Sequence, residues 1–202
     1  MQYLSVINLR RLSVRLLLIM NNVSYKVALG GVISSLCIFA MFLTGIMPFL
    51  YLTLPMIAGA LMTIIVTEVN IPWAFLTYAS VSILSLFITF DKGAALIFIL
   101  LFGHYPIIRY KLEKIHIRPL KNLVKLCIFN ICAVVYYELT LHLLGVDDFT
   151  DDFSFFGKFG IYVFWALSNL FFCLYDYALS GSMEVYVKYL KPKIFGGKNE
   201  KK

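Results

Sequence analysis

An all-α, polytopic integral membrane protein with about six transmembrane helices is the fold class this sequence predicts. Three observations predict it. Of the 202 residues, 61% are hydrophobic and 14% charged, with a mean hydropathy of +0.85. A soluble domain is nearer ~45–50% apolar and ~25% charged, so this chain has too little polar surface to cover a soluble globule. Its apolar residues fall in runs of about 20, the length that crosses ~30 Å of hydrocarbon as a helix. The runs are continuous rather than alternating, and far longer than a ~10-residue barrel strand.

Six spans follow in order. The first, near 28–47, is ALGGVISSLCIFAMFLTGIM. Gly30 precedes Ser34 by four residues, and Gly31 precedes Ser35 by four. Such small-residue faces let a second helix approach closely, either within this protein or from a partner. The second span, near 49–67, follows an uncharged connection, GIMPFLYLTLP (45–55), where two prolines and a glycine break regular helix. That connection reads as a tight turn or as a lid beside a pocket. The third span, near 72–90, opens at Pro72, whose missing N–H costs little in the first helical turn. Before it, Glu68 and Asn70 sit in a short turn as solvated or capping residues. The fourth span, near 93–109, should kink at Gly103–Tyr105 ahead of Pro106, with His104 placed to bond a freed carbonyl. The fifth runs near 123–144. The sixth runs near 159–180 and extends as helix past Gly181 toward Lys191.

Residues 1–22 read as a separate basic amphipathic segment, residues 23–190 as the membrane domain, and residues 191–202 as a basic tail. In the first segment Leu and Ile interleave with Arg10, Arg11 and Arg15, which suits a helix lying on an anionic surface. Its apolar run is too short and interrupted for a cleavable signal peptide. The four cysteines fall inside the spans, form no CxxC pair, and read as buried packing residues.

Orientation follows from charge. The N-terminal region up to Lys26, the fourth-to-fifth connection from Arg109 to Lys125 and the C-terminal region from Lys188 hold all of the 18 Lys and Arg residues except Lys92 and Lys158. With six spans these three regions share one side, and acidic DDFTDD (147–152) takes the other. The positive-inside rule then makes both termini cytoplasmic in a multi-pass protein of the cell membrane. The net charge of +7 is accounted for by topology and anionic lipid headgroups. The expected partners therefore include the lipid bilayer and exclude nucleic acid.

The candidate binding residues lie in the last two spans. Asn130, Val134, Glu138 and His142 follow i, i+4 spacing along one stripe. Tyr162, Trp165, Asn169, Phe172 and Asp176 follow a 3-4-3-4 spacing along another. A carboxylate inside the hydrocarbon must be neutralised, paired or hydrated. If the stripes face each other around an outward-opening pocket, Asn130, Glu138, His142, Tyr162, Trp165 and Asn169 bind a small solute. If they do not, these groups hold helices together. Asp176, near the inner end, reads as meeting headgroups or a lysine of the tail. The sequence carries no HExxH, GxSxG or Walker loop. No enzyme activity, catalytic residue, cofactor or metal is expected.

The size, the six spans, the basic start before YKVALGGVISSL, the apolar PFLYLTLPMIAGAL and the polar residues of the last two helices resemble the substrate-binding S component of energy-coupling factor (ECF) transporters. The resemblance covers about residues 24–190 and is one of layout. It implies a micronutrient bound near the outer face, and energy from a transmembrane coupling protein with two ATPases. In that family an Ala-x-x-x-Ala face of the first helix meets the coupling protein. Here Ala28 is followed at the fourth place by Val32, and Gly31 with Ser35 stands as the small-residue pair beside it. The alternative expectation is a non-transport scaffold of a cell-envelope or division assembly.

Overall fold

The structure is a computed structural model. It describes the backbone of residues 2–144 and 160–190 and the side chains of residues 23–142 and 162–189. All regular structure among them is helical. The helices are α1 (Gln2–Leu43), α2 (Thr53–Glu68), α3 (Ile71–Ile88), α4 (Lys92–Ile97), α5 (Tyr105–Leu112), α6 (Arg118–Leu144) and α7 (Gly160–Val185). A 3-10 turn, Pro48–Leu50, precedes α2. π turns follow α4 at Phe98–Phe102 and α7 at Tyr186–Leu190. The acidic 147–152 segment and the tail from residue 191 lie outside the described residues.

Among the described residues five segments are long and apolar enough to cross a membrane: Val23–Leu43, Ile71–Ile88, Lys92–Leu112, Arg118–His142 and Tyr162–Tyr189. The expected second span, α2, is shorter at 16 residues, or about 24 Å at ~1.5 Å per residue. Its start is delayed from residue 49 to Thr53 by the turn at Pro48. Neighbouring helices surround it and bury Ala58, Met62, Ile65 and Val66, so its length need not match the bilayer. The α4–α5 segment is the other central element. Of its most apolar stretch 67% is buried, against 17% to 28% for the other four long segments. Those four face outward with large apolar side chains such as Phe39, Phe87 and Tyr177, the last two 80% exposed. Such a surface is suited to lipid.

Residues 1–22 were expected as a separate helix. The backbone of residues 2–22 runs on into the first span within α1, whose 42 residues extend roughly 63 Å and so outrun the hydrocarbon thickness. Among the described side chains its apolar stretch runs from Val23 to Leu43 and contains most of the expected 28–47 span. Two other starts follow from local chemistry. Asn70 caps α3, its side-chain oxygen accepting from the Trp73 N–H at 3.1 Å. Asp91 caps α4 by accepting from the Gly93 and Ala94 N–H groups.

The break in the fourth span is where the sequence places it. Pro106 has no N–H to offer, and the Gly103 N–H bonds back to the Phe98 carbonyl at 2.6 Å. That i→i+5 bond strands the Ile99 carbonyl. The Tyr78 hydroxyl donates to it at 2.7 Å, and His104 Nδ1 lies 3.2 Å from it. The expected role of His104 is thus the observed one. Gly59 of α2 accommodates the same irregularity. A Cβ there would come 2.5 Å from the Phe102 carbonyl oxygen. The cysteines depart from expectation. Cys37 is buried and bonds the Ala58 carbonyl at 3.3 Å, but Cys127 and Cys173 are exposed on outward faces.

The ends of the helices sort into two layers. Glu68 lies near enough to Tyr25 and Tyr186 to act on both electrostatically, and Arg109 and Lys125 reach Asp176. At the other end Gly45 sits against Phe90, and Tyr51 meets Tyr136. The chain therefore passes between the layers six times, counting α4–α5 as one pass and α2 as another. The layer holding Arg109, Lys121 and Lys125 is the cytoplasmic one by the positive-inside rule.

Candidate functional site

The two polar stripes meet at one level only. The Asn130 amide donates to the Asn169 side-chain oxygen at 2.8 Å, and the Asn169 amide donates back at 3.2 Å. Each amide also donates to the carbonyl four residues earlier, Leu126 and Trp165 respectively, at 2.8 Å. The pair is thus self-satisfied and ties α6 to α7, which is what amides between transmembrane helices commonly do.

The other stripe residues are not gathered around it. Glu138 and His142 pair with each other along α6, with Oε2 and Nε2 3.3 Å apart and side chains 57% and 79% exposed. Tyr162 is 71% exposed, and Trp165 is half-buried. The small-residue faces of α1 divide. Gly30 packs toward Thr77 of α3, with Ser34 half-buried beside it. Gly31 has no neighbour within 4 Å of a built Cβ, and Ser35 is exposed beside it.

A cavity of about 290 Å³ does lie between the two stripes' helices and the centre of the bundle. Its walls come from the start of α2, from α4 with its π turn, and from α6 and α7. Aromatic rings form most of the wall: Tyr51, Phe102, Phe129, Tyr136, Tyr137, Phe164, Phe171 and Phe172, with Ser168 and no charged side chain. Beneath it Phe129 and Phe172 stack with centroids 4.4 Å apart and planes 14° apart. Tyr105 meets Phe172 edge-on at 4.9 Å. Offset and edge-to-face rings of this kind are the favourable arrangements, so the floor is pre-formed. The Tyr51 and Tyr136 hydroxyls close one side at 3.0 Å. The turn at Pro48–Leu50 delivers Tyr51 and Leu52 to this wall.

Inward of that floor is an ion cluster that sequence reasoning placed elsewhere. Asp176 was expected to meet headgroups or a tail lysine; the tail from residue 191 lies outside the described residues, and within them Asp176 has three other partners. It accepts from the Tyr105 hydroxyl at 2.6 Å, from Arg109 Nε at 2.6 Å and from Lys125 Nζ at 2.9 Å. Lys125 also donates to Glu113 at 2.8 Å, as does Lys121 at 2.7 Å. Burial works to raise the Glu113 carboxyl. The lysine hydrogen bonds and the charges of Lys125 and Arg109 offset this and hold it below its ordinary value of 4.5. The cluster clamps α5, α6 and α7 together. Among the described residues no group of three His, Cys, Asp or Glu side chains is arranged to hold a metal ion.

Sequence reasoning placed Phe172 on the α7 stripe and Tyr51 in the connection read as a turn or a lid, but did not find the other cavity aromatics or the buried pair Arg109 and Lys125. The aromatics are indistinguishable in sequence from lipid-facing ones. The signal for the cations was present: Arg109 and Lys125 stand at the edges of apolar runs, where a buried partner was available in Asp176.

Fold and cavity together define a multi-pass helical membrane protein with an aromatic chamber between its central and peripheral helices. A scan against protein-family models finds no match, and searches of curated proteins and of solved structures find none.

Proposed function

We propose that this protein is a membrane-embedded substrate-binding subunit of the cell membrane, serving uptake of a small vitamin-like solute. Separate ATPase and coupling subunits supply the energy, as the layout shared with ECF S components implies. The observation that carries the reading is the aromatic cavity. Ligand sites are concave, mainly apolar, and furnished with a few placed polar groups. Here the hydroxyls of Tyr51, Tyr136 and Ser168 are those groups, and no charge lines the wall. The solute that suits it is neutral and largely apolar or planar, with one or two hydrogen-bonding atoms. At about 290 Å³ the chamber is at the small end of the ~300–1,000 Å³ range of ligand pockets. The ring floor of Phe129 and Phe172, with Tyr105 edge-on against Phe172, lies between the chamber and the ion cluster, consistent with a site loaded from outside.

The test is purification of the tagged full chain in mild detergent from its native host, with mass spectrometry of both the proteins and the small molecules recovered. Two ATPases and a multi-span coupling protein are expected, together with a neutral small molecule that the substitution Phe172→Ala removes. Recovery of envelope or division proteins without ATPases would replace this reading with the scaffold one.

A further inference from the structure

We propose that the inner mouth of the bundle is a binding site for a phosphomonoester group, carried by a lipid headgroup or by a soluble phosphorylated solute. A second cavity, of about 1030 Å³, opens there among α2, α5, α6 and α7. It lies one helical turn inward of Phe172 and shares no lining residue with the aromatic chamber, so the proposal does not depend on the solute proposed above.

Five cations line this cavity: Arg109, Lys114, Lys121, Lys125 and Lys188. Three carboxylates accompany them: Glu113, Asp176 and Glu184. The lining therefore carries two positive charges in excess. A phosphomonoester near neutral pH carries about −1.5 to −2 and offers three acceptor oxygens, which matches that excess more closely than a carboxylate does.

Clamping of the helices accounts for part of the cluster and not for the rest. Arg109, Lys121 and Lys125 are engaged with Glu113 and Asp176. Among the described residues Lys114 and Lys188 have no carboxylate within ion-pair distance. Each instead lies over a nearby ring, Tyr110 and Tyr189, at 5.6 Å. Two uncommitted ammonium groups around a net positive cavity form an acceptor-seeking site. It stands at the inner membrane surface, where anionic headgroups are concentrated.

The experiment uses the full chain in nanodiscs of phosphatidylcholine. Binding of dilauroyl phosphatidic acid is measured by native mass spectrometry, and binding of inorganic phosphate by titration calorimetry at low chloride. The wild-type chain is expected to retain phosphatidate over phosphatidylcholine or to bind phosphate saturably. The double variant Lys114→Gln/Lys188→Gln is expected to weaken that binding about tenfold or more, the scale of losing a charge-assisted contact. Neither lysine belongs to the clamp, so the fold is expected to persist. Lys114→Glu/Lys188→Glu, expected to abolish binding by removing the positive excess, serves as a second variant. Saturable phosphate binding assigns a soluble source. Phosphatidate binding that phosphate does not displace assigns a lipid. Absence of both in the wild-type chain, or unchanged binding in both variants, overturns the proposal.

Discussion

Replacing Asp176 with Asn removes the less exposed of the two carboxylates that touch both buried cations. Arg109 and Lys125 have side chains 9% and 4% exposed. They would be left sharing Glu113, which is 37% exposed and already pairs with Lys121. Breaking a buried pair by removing one partner costs about 3–5 kcal/mol, because the remaining charge stays desolvated. Asp176 is itself 23% exposed, so water reaches the site, and the lower end of about 3 kcal/mol is expected. For a chain of this length 1 kcal/mol moves the unfolding midpoint by about 2–4 °C, so a drop of roughly 6–12 °C follows. The assay is thermal unfolding in detergent, read by tryptophan fluorescence and by loss of the monodisperse peak. Glu138→Gln is the internal control. Its partner His142 is exposed, and the change should fall within about 0.5 kcal/mol of the wild-type chain. Adding Lys125→Met to Asp176→Asn should recover part of the loss, since one stranded charge is then gone. A drop under about 2 °C for Asp176→Asn, or one no larger than that of Glu138→Gln, would refute the claim that this cluster clamps the inner end.

Gly59→Ala should destabilise by about 1–3 kcal/mol, because the new methyl meets the Phe102 oxygen at 2.5 Å and the Tyr175 hydroxyl at 2.6 Å. Gly31→Ala, with nothing within 4 Å, should stabilise by up to ~1 kcal/mol through helix propensity; the two midpoints measured side by side check both. A double-mutant cycle on Asn130→Ala and Asn169→Ala should return a coupling of about 0.6 kcal/mol, with an upper bound near ~1.7 kcal/mol. The pH dependence follows from Glu113, whose folded pKa lies below its ordinary 4.5. A carboxylate depressed on folding contributes stability fully above its unfolded pKa and loses it as pH falls through the folded one. The midpoint should therefore hold from neutrality to about pH 5 and fall below it, and Glu113→Gln should flatten part of that fall in a pH-scanned melt.

Hydropathy was enough to determine the all-α multi-pass class, and charge gave the expected orientation, because the bilayer acts on each segment separately. A run is apolar enough to span or it is not, and each basic loop chooses its side without reference to other helices. The local breaks were equally legible. Pro106 with Gly103, and Asn70 with Pro72, act through their own backbone chemistry within a few residues. The binding site was not local in this sense. Positions 130, 134, 138 and 142 look aligned at i, i+4 spacing. At 3.6 residues per turn, however, the stripe rotates about 40° with each step, and about 120° from end to end. Asn130 therefore meets Asn169, while Glu138 and His142 turn outward into each other. Nor does sequence distinguish Phe129, which stacks on Phe172 in the chamber, from Phe87, which is 80% exposed. In a membrane both surroundings are apolar, so burial leaves no hydrophobic contrast along the chain. Only helix packing decided which aromatics enclose a chamber, and only packing brought Arg109 and Lys125 to Asp176 from helices 67 and 51 residues away.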